Sequence, residues 1–281
     1  MKNKYIILIM FSISAFGISS LICSLCETKE TKVNDTYTIK VIDNEIVFNN
    51  VVVYRFIPVD GGFMDFTFNT DSITISESET NIEDKETLYL TERKEISSFI
   101  IGETPVTVKL WDIVMEDTLS KAVDKVLDTY INNKTYEEWN SFVNKLEEKT
   151  GRKFSLPTSF QWEYAARGGQ ESKNYLYSGS NDICEVANYK DNYKFKTFIM
   201  GKCKKPNELG IYDMSGSVWE LTSTKLSDLN LDIYKDMIEE NIDNSFISRG
   251  GDINSDAEEC ETKIVKHRIL SKTGARLIII F

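Results

Sequence analysis

One imidazole, five thiols and a scatter of carboxylates are what this sequence offers for nucleophilic, redox or metal chemistry. The lone histidine, His267, cannot supply a site built from several imidazoles, and it leaves a His-based triad poorly supported. Cys23 and Cys26 fall at the end of an apolar N-terminal run, which leaves Cys184, Cys203 and Cys260. Three is odd, so one thiol is left over whatever pairs. No C-x-x-C joins those three, which argues against a closed zinc site or a thioredoxin-like couple. The acids are scattered with no paired-carboxylate spacing, so hydrolase chemistry has no specific support. Lys and Arg number 33 against 44 Asp and Glu, a net charge of −11 that excludes nucleic acid as a partner. Arg152-Lys153 and Lys204-Lys205 read as solvated loop charges.

The elements that must position these groups begin with an address. Lys2 and Lys4 precede an apolar run from Tyr5 to Ile22, and the chain turns polar at Glu27. This predicts a signal peptide or N-terminal anchor over 1–26, hence export, with membrane contact only through that segment. Cys23 or Cys26 stands where a bacterial lipoprotein is acylated, although the bulky Ile22 and Leu25 precede them. Residues 27–50 read as a tether leading into a strand, and 51–281 as one domain. Within it, Val51–Val59 reads as a strand, Asp60-Gly61-Gly62 as a turn, and Phe63–Phe68 as the hairpin partner. The acidic, Ser/Thr-rich stretch 69–95 reads as a surface loop, and Phe99–Ile101 and Val106–Leu110 as short β runs. The clearest helix is Tyr136 to Lys149, with Trp139, Phe142, Val143 and Leu146 on one stripe, Thr135 and Glu138 as a capping box and Gly151 as terminator. A second runs over Thr158–Arg167 between Pro157 and Gly168-Gly169, and a third over Leu119–Tyr130. Beyond Gly169 the chain is turn-rich until Ile278–Phe281. The class is α+β.

Five blocks then carry a resemblance. LPTSFQWEYAARGG over 156–169 and NELGIYDMSGSVWE over 207–220 are the longest. FIPVDGGF at 56–63, SFIIGETPVT at 98–107 running to Trp111, and Arg249-Gly250-Gly251 followed by Cys260 and GARL at 274–277 keep the same order. Together they resemble the formylglycine-generating enzyme family of sulfatase-modifying factor domains. The resemblance implies a C-type-lectin-like formylglycine-generating-enzyme fold, loop-rich, with few short strands and two or three helices. Read as physical groups, Trp162, Tyr212 and Trp219 bring large apolar area with one polar handle each. Arg167 with Glu163 or Glu220 reads as a partly buried pair, and Arg249 and Arg276 belong with these residues as structural groups.

The resemblance also implies chemistry. The enzyme that names the family oxidises a substrate cysteine to formylglycine with copper held by two thiolates. Cys260 resembles the first of them, but position 265, where the second is expected, is Val265. The alternative for Cys260 is a buried small hydrophobe. Asn188, Ser217 and Glu220 resemble calcium ligands, weakened because Ser217 replaces an asparagine. A three-histidine iron site, as in ergothioneine-type relatives, is excluded by a single His267. Some bacterial relatives bind ligands through C-terminal loops, which points here to Asp252, Asn254, Asp256, Lys263 and His267. The expected function is therefore an exported or envelope-associated, catalytically inactive member that binds an unknown protein or surface ligand, or serves structurally. The competing expectation is a copper- and oxygen-dependent formylglycine-generating oxidase.

Overall fold

The computed structural model describes residues 31–32, 38–69, 89–116, 129–193, 202, 204–229, 246–263 and 272–281. The N-terminal segment with Cys23 and Cys26, the body of the Leu119–Tyr130 helix, Cys203, Val265 and His267 lie outside the described residues.

A seven-stranded antiparallel sheet is built from β1 (Thr31–Lys32), β2 (Thr38–Ile42), β3 (Glu45–Phe48), β4 (Val51–Val59), β7 (Phe99–Gly102), β8 (Lys153–Ser155) and β11 (Ile278–Ile280). Its order is β1-β2-β3-β4-β7-β11-β8. The domain thus starts ahead of residue 51, and the tether expected over 27–50 is corrected: β2 and β3 pair with each other and β3 with β4. Ile39, Val41 and Ile46 are buried in the same core as Phe56.

The expected hairpin is corrected as well. β4 already has β3 on one edge and β7 on the other, with Phe56↔Gly102 through Val59↔Phe99 in register. The chain leaving the Gly61-Gly62 turn therefore finds no free edge. As β5 (Gly62–Asn69) it peels away and pairs with β6 (Tyr89–Ile96), so the predicted loop is strand over its last residues. Gly61 lies so close to the Ile96 carbonyl and Ser98 amide that no Cβ fits there. Phe66 and Met64 turn inward, and Phe66 meets Phe160 edge-on at 5.0 Å.

Val106–Leu110 is the third correction. It opens α1 (Val108–Met115), whose N-cap Thr107 accepts from Leu110 N and whose Leu110, Trp111 and Val114 are buried. A five-residue window is too short to show a 3.6-residue period. α2 (Tyr136–Thr150) carries the Thr135–Glu138 capping box and ends at Gly151 with φ 69°. Its Phe142 stacks on Trp111 at 4.9 Å, and α1 and α2 together cover one face of the sheet. α3 (Ser159–Ala166) is boxed by Thr158 and Gln161. It packs with the β5–β6 ribbon and with a second ribbon, β9 (Glu220–Lys225) and β10 (Phe246–Arg249). One further turn, α4 (Ile183–Val186), closes the described helices. Of the third expected helix only Thr129 and Tyr130 are described, and Tyr130 forms a bridge with Thr107 rather than a helical turn.

Candidate functional site

Two buried carboxylates organise the centre of the molecule. Glu163, on α3, accepts from Arg249 Nη2 at 2.6 Å and from Arg167 Nη1 at 3.1 Å. Arg249 also donates to the Thr262 carbonyl at 3.1 Å, and its guanidinium lies 5.3 Å over the Trp162 ring. Glu220, at the start of β9, accepts from Arg276 Nε and Nη2, both at 2.6 Å, and from Trp162 Nε1 at 3.0 Å. Arg276 completes its set on the carbonyls of Gly102 (3.1 Å) and Tyr212 (3.2 Å). Burial works against the Arg276 charge, but the Glu220 carboxylate outweighs it and lifts the pKa above the ordinary guanidinium value. Of the two partners the sequence allowed Arg167, the structure selects Glu163, one helical turn away. Trp219 is buried as well. These groups knit α3, β9, β10 and the chain before β11 together. Every charge in them faces another charge or a carbonyl, although Arg249 Nη1 and Arg167 Nε are buried without a partner among the described residues and burial raises the Glu163 carboxyl pKa.

Cys260 ends a short 3-10 turn, Ala257–Cys260, and is fully buried with Tyr177, Val186, Ala187 and Tyr189. Its Sγ would stand 2.7 Å from any Cβ placed on Gly251, so the thiol sits against that glycine's backbone. Burial, reinforced by Glu259 and Asp252, pushes the thiol pKa up to about 12. Cys184 is exposed and unpaired, with its thiol near Tyr189. A two-thiolate copper site needs two sulfurs side by side. Cys260 is sealed by burial, and the position expected to carry the second thiolate is Val265.

Calcium fits no better. Asn188 and Ser217 are brought together: Ser217 N donates to the Asn188 carbonyl at 2.8 Å, and Asn188 Nδ2 reaches Ser217 Oγ at 3.4 Å. Glu220, however, is committed to Arg276 and Trp162, which corrects its expected place as a third ligand. Among the described residues no cluster of three His, Cys, Asp or Glu side chains is arranged to hold a metal.

Of the expected ligand-binding residues, Asp252 and Asn254 rim a cleft of about 300 Å³. Asp256 lies away from it, paired at 2.8 Å with Lys190, and Lys263 is exposed and does not line it. The floor is Val218, Trp219 and Gly274. Gly274 N donates to the Trp219 carbonyl at 2.9 Å. A Cβ on Gly274 would come within 2.9 Å of the Ile131 carbonyl and 3.0 Å of Val218 Cγ2, so only glycine lets this segment approach those at 131 and 218.

Sequence reasoning missed several organising groups. Asp213 accepts from the Tyr130 hydroxyl, from Lys202 N at 3.0 Å and from Ser217 Oγ at 3.3 Å. Asn207 ties the end of α3 to the following loop through Ala165 O, Leu209 N and Ile211 N. Both lie inside the NELGIYDM block, where a buried acid and amide between apolar residues were the available signal. Asn132 and Asn133 in the cleft had none.

Comparison with known proteins agrees with this geometry. The solved structure of Treponema denticola variable protein 1 superposes with a TM-score of 0.61 at 21% identity, over 88% of this chain and 99% of that one. CarF gives 0.53 at 18% identity, over 81% and 98%. PvdO from Pseudomonas aeruginosa gives 0.50 at 18%, over 80% and 94%. These likenesses establish the shared α+β, C-type-lectin-like fold. A relative from Paenibacillus barcinonensis, the chaperone protein LppX, is 33% identical over 184 residues, covering 47% of this chain and 64% of that protein. The chain thus spans less than two thirds of that curated relative's length. The pattern of the sulfatase-modifying factor enzyme 1-like domain matches residues 128–278, which hold α2, α3, both buried carboxylate clusters and Cys260. On that match the chain belongs to the sulfatase-modifying factor domain family.

Proposed function

We propose that this protein is an exported, envelope-associated member of the family that binds a partner instead of oxidising a cysteine. The observation that carries the reading is Cys260: fully buried and seated on Gly251, with burial pushing its thiol pKa up. Val265 stands where the second thiolate of an oxidase would be needed. The cleft rimmed by Asp252 and Asn254 supports a binding role, since it is the open concavity beside that thiol's loop. Export rests on the charged-then-apolar start of the chain, with Cys23 or Cys26 as the anchoring residue. The relative named a chaperone supports a polypeptide among the partners.

Incubation of the purified protein with Cu(I), oxygen and a Cys-x-Pro-x-Arg peptide separates the two functions. The expected result is no aldehyde product and no stoichiometric copper. Peptide conversion that disappears in Cys260→Ser would overturn the binding reading in favour of the oxidase. Fractionation of the native cells tests the address, with the protein expected in the envelope fraction.

A further inference from the structure

We infer that β6 pairs, edge to edge and antiparallel, with β6 of a second copy of this chain, in the register that sets Arg93 opposite Arg93. The inference stands apart from the binding reading above and concerns the β5–β6 ribbon, not the cleft.

β5 and β6 form a two-stranded ribbon outside the seven-stranded sheet. Such a ribbon is marginal unless a helix or a further strand supports it. α3 supports one face, where Met64 and Phe66 are buried and the Lys94 ammonium lies 4.5 Å over the Phe160 ring. The rest of β6 is open, with Thr91, Glu92, Arg93 and Glu95 exposed.

The direction of the backbone groups follows from the pairing. In an antiparallel pair, residues that exchange hydrogen bonds alternate with residues that point their N–H and C=O outward, and side chains come closer at the latter. Thr67 and Thr91 stand opposite each other with their hydroxyls 3.2 Å apart, and Asp65 stands opposite Arg93. Arg167 Nη1 takes the Asp65 carbonyl at 2.9 Å from outside the ribbon, so Asp65↔Arg93 is an outward-pointing pair. Phe63↔Glu95 and Thr67↔Thr91, two residues away on either side, point outward with it. Arg167 and Gln170 cover the β5 edge in this way. On the β6 edge the backbone groups of Thr91, Arg93 and Glu95 have no hydrogen-bond partner among the described residues.

An open edge invites strand addition, and charged side chains ordinarily repel it. On β6 their order admits one arrangement instead. A two-fold pairing centred on Glu92 sets Glu92 against Glu92, and one centred on Lys94 sets Lys94 against Lys94. Centred on Arg93, Glu92 meets Lys94 of the second copy and Lys94 meets its Glu92. Within the strand Glu92 Oε1 already accepts from Lys94 Nζ at 2.7 Å, so the four groups form a square whose neighbours all differ in sign. Each Arg93 faces its counterpart, but it keeps Asp65 at 3.8 Å and the Phe63 ring at 5.5 Å on its own ribbon, and Glu95 of the second copy lies diagonally across. The contact is isologous and closes at two copies. An edge of so few residues is a small interface, with a Kd of about 0.1–1 mM.

Sedimentation of the full chain from about 1 µM to 1 mM with a dye-labelled tracer, in non-ionic detergent that keeps the apolar N-terminal run soluble, tests this. The parent is expected to pass from monomer to dimer as concentration rises. Glu92→Lys and Lys94→Glu each put like charges across both pairs, and each is expected to associate at least about tenfold more weakly. Mixed together, the two variants regain opposite charges at both pairs and are expected to form a heterodimer of parent affinity. Thr91→Pro removes an N–H that points out of the ribbon, so it spares the β5 pairing and is expected to weaken the dimer. Melting curves that match the parent show that the variants fold. A parent that stays monomeric, single variants or Thr91→Pro that dimerise as the parent does, or a mixture that restores nothing overturns the inference. Those outcomes leave the binding reading standing, because that reading falls only to copper-dependent peptide oxidation.

Discussion

Cys260 and Cys184 differ in reactivity because of what surrounds each sulfur. With a pKa near 12, only roughly one Cys260 in ten thousand is thiolate at pH 8, while Cys184 is exposed. Iodoacetamide at that pH is expected to label Cys184 at least about a hundredfold faster in the folded protein, read by peptide mass spectrometry, with Cys260 reacting only after denaturation. Equal rates would show an accessible, ionisable Cys260 and remove burial as an argument against the oxidase. The Glu220–Arg276 pair carries a second expectation. Glu220→Gln leaves a fully buried guanidinium facing a neutral amide, and urea titration is expected to show a loss of about 3–5 kcal/mol. Replacing both partners with apolar residues of similar volume should recover much of it. A loss below about 1 kcal/mol would mean that Gly102 O and Tyr212 O alone hold the arginine. The sequence grouped Glu163, Arg167, Glu220, Arg249 and Arg276 but left open which arginine faces which acid, a matter of contacts up to 86 residues apart.

Elements were legible where local chemistry repeats itself. α2 displays its stripe, box and terminator within its own residues, and each is in place. Thr135→Ala removes the acceptor for Glu138 N and frees the reciprocal Glu138 bond to Thr135 N, so a loss of about 1 kcal/mol is expected in thermal unfolding. No change would mean that packing on Trp111 fixes the helix start by itself. The strands were harder. β9 reads ELTSTK; Leu221 is buried on one face, but Glu220, Thr222 and Thr224 are buried on the other, with Thr222 Oγ1 bonded to Ile247 O at 2.9 Å. That second buried face is polar and satisfied by partners distant in sequence, so hydrophobic alternation could not announce the strand. β5 misled for another reason: its pattern is that of a strand, but its partner depends on which edges of β4 were already taken. Pairing is a property of the sheet, and a single strand does not carry it.

At the scale of the whole molecule, the cleft joins loops around residues 132, 217, 252 and 272, so no local window of sequence contains it. The family blocks located the loops around 217, 252 and 272 but not the one around 132, and the close approach at Gly274 brings the last of them against residues 131 and 218. The same compaction buries three weakly acidic groups whose titration should be visible in global stability. Cys260 is pushed up to about 12, Tyr54 is raised by burial despite nearby Arg276, and Tyr130 is raised by burial and by Asp213. In the unfolded chain these groups titrate near about 8.5 for the thiol and about 10 for the phenols. The folded state therefore holds its protons where the unfolded state has released them. Their stabilising contribution is complete below the unfolded values and is lost as pH rises through them toward the folded ones. Urea midpoints are expected to be steady up to about pH 8 and then to fall, each group adding a slope of about 1.4 kcal/mol per pH unit within its window. Tyr54→Phe sacrifices the 2.6 Å bond to the Thr104 carbonyl, lowering stability at neutral pH, but it should flatten the fall above about pH 10. Parent and variant curves that stay parallel from pH 7 to pH 11 would show that the Tyr54 hydroxyl ionises as readily in the fold as in water, and that water reaches the core beside Arg276.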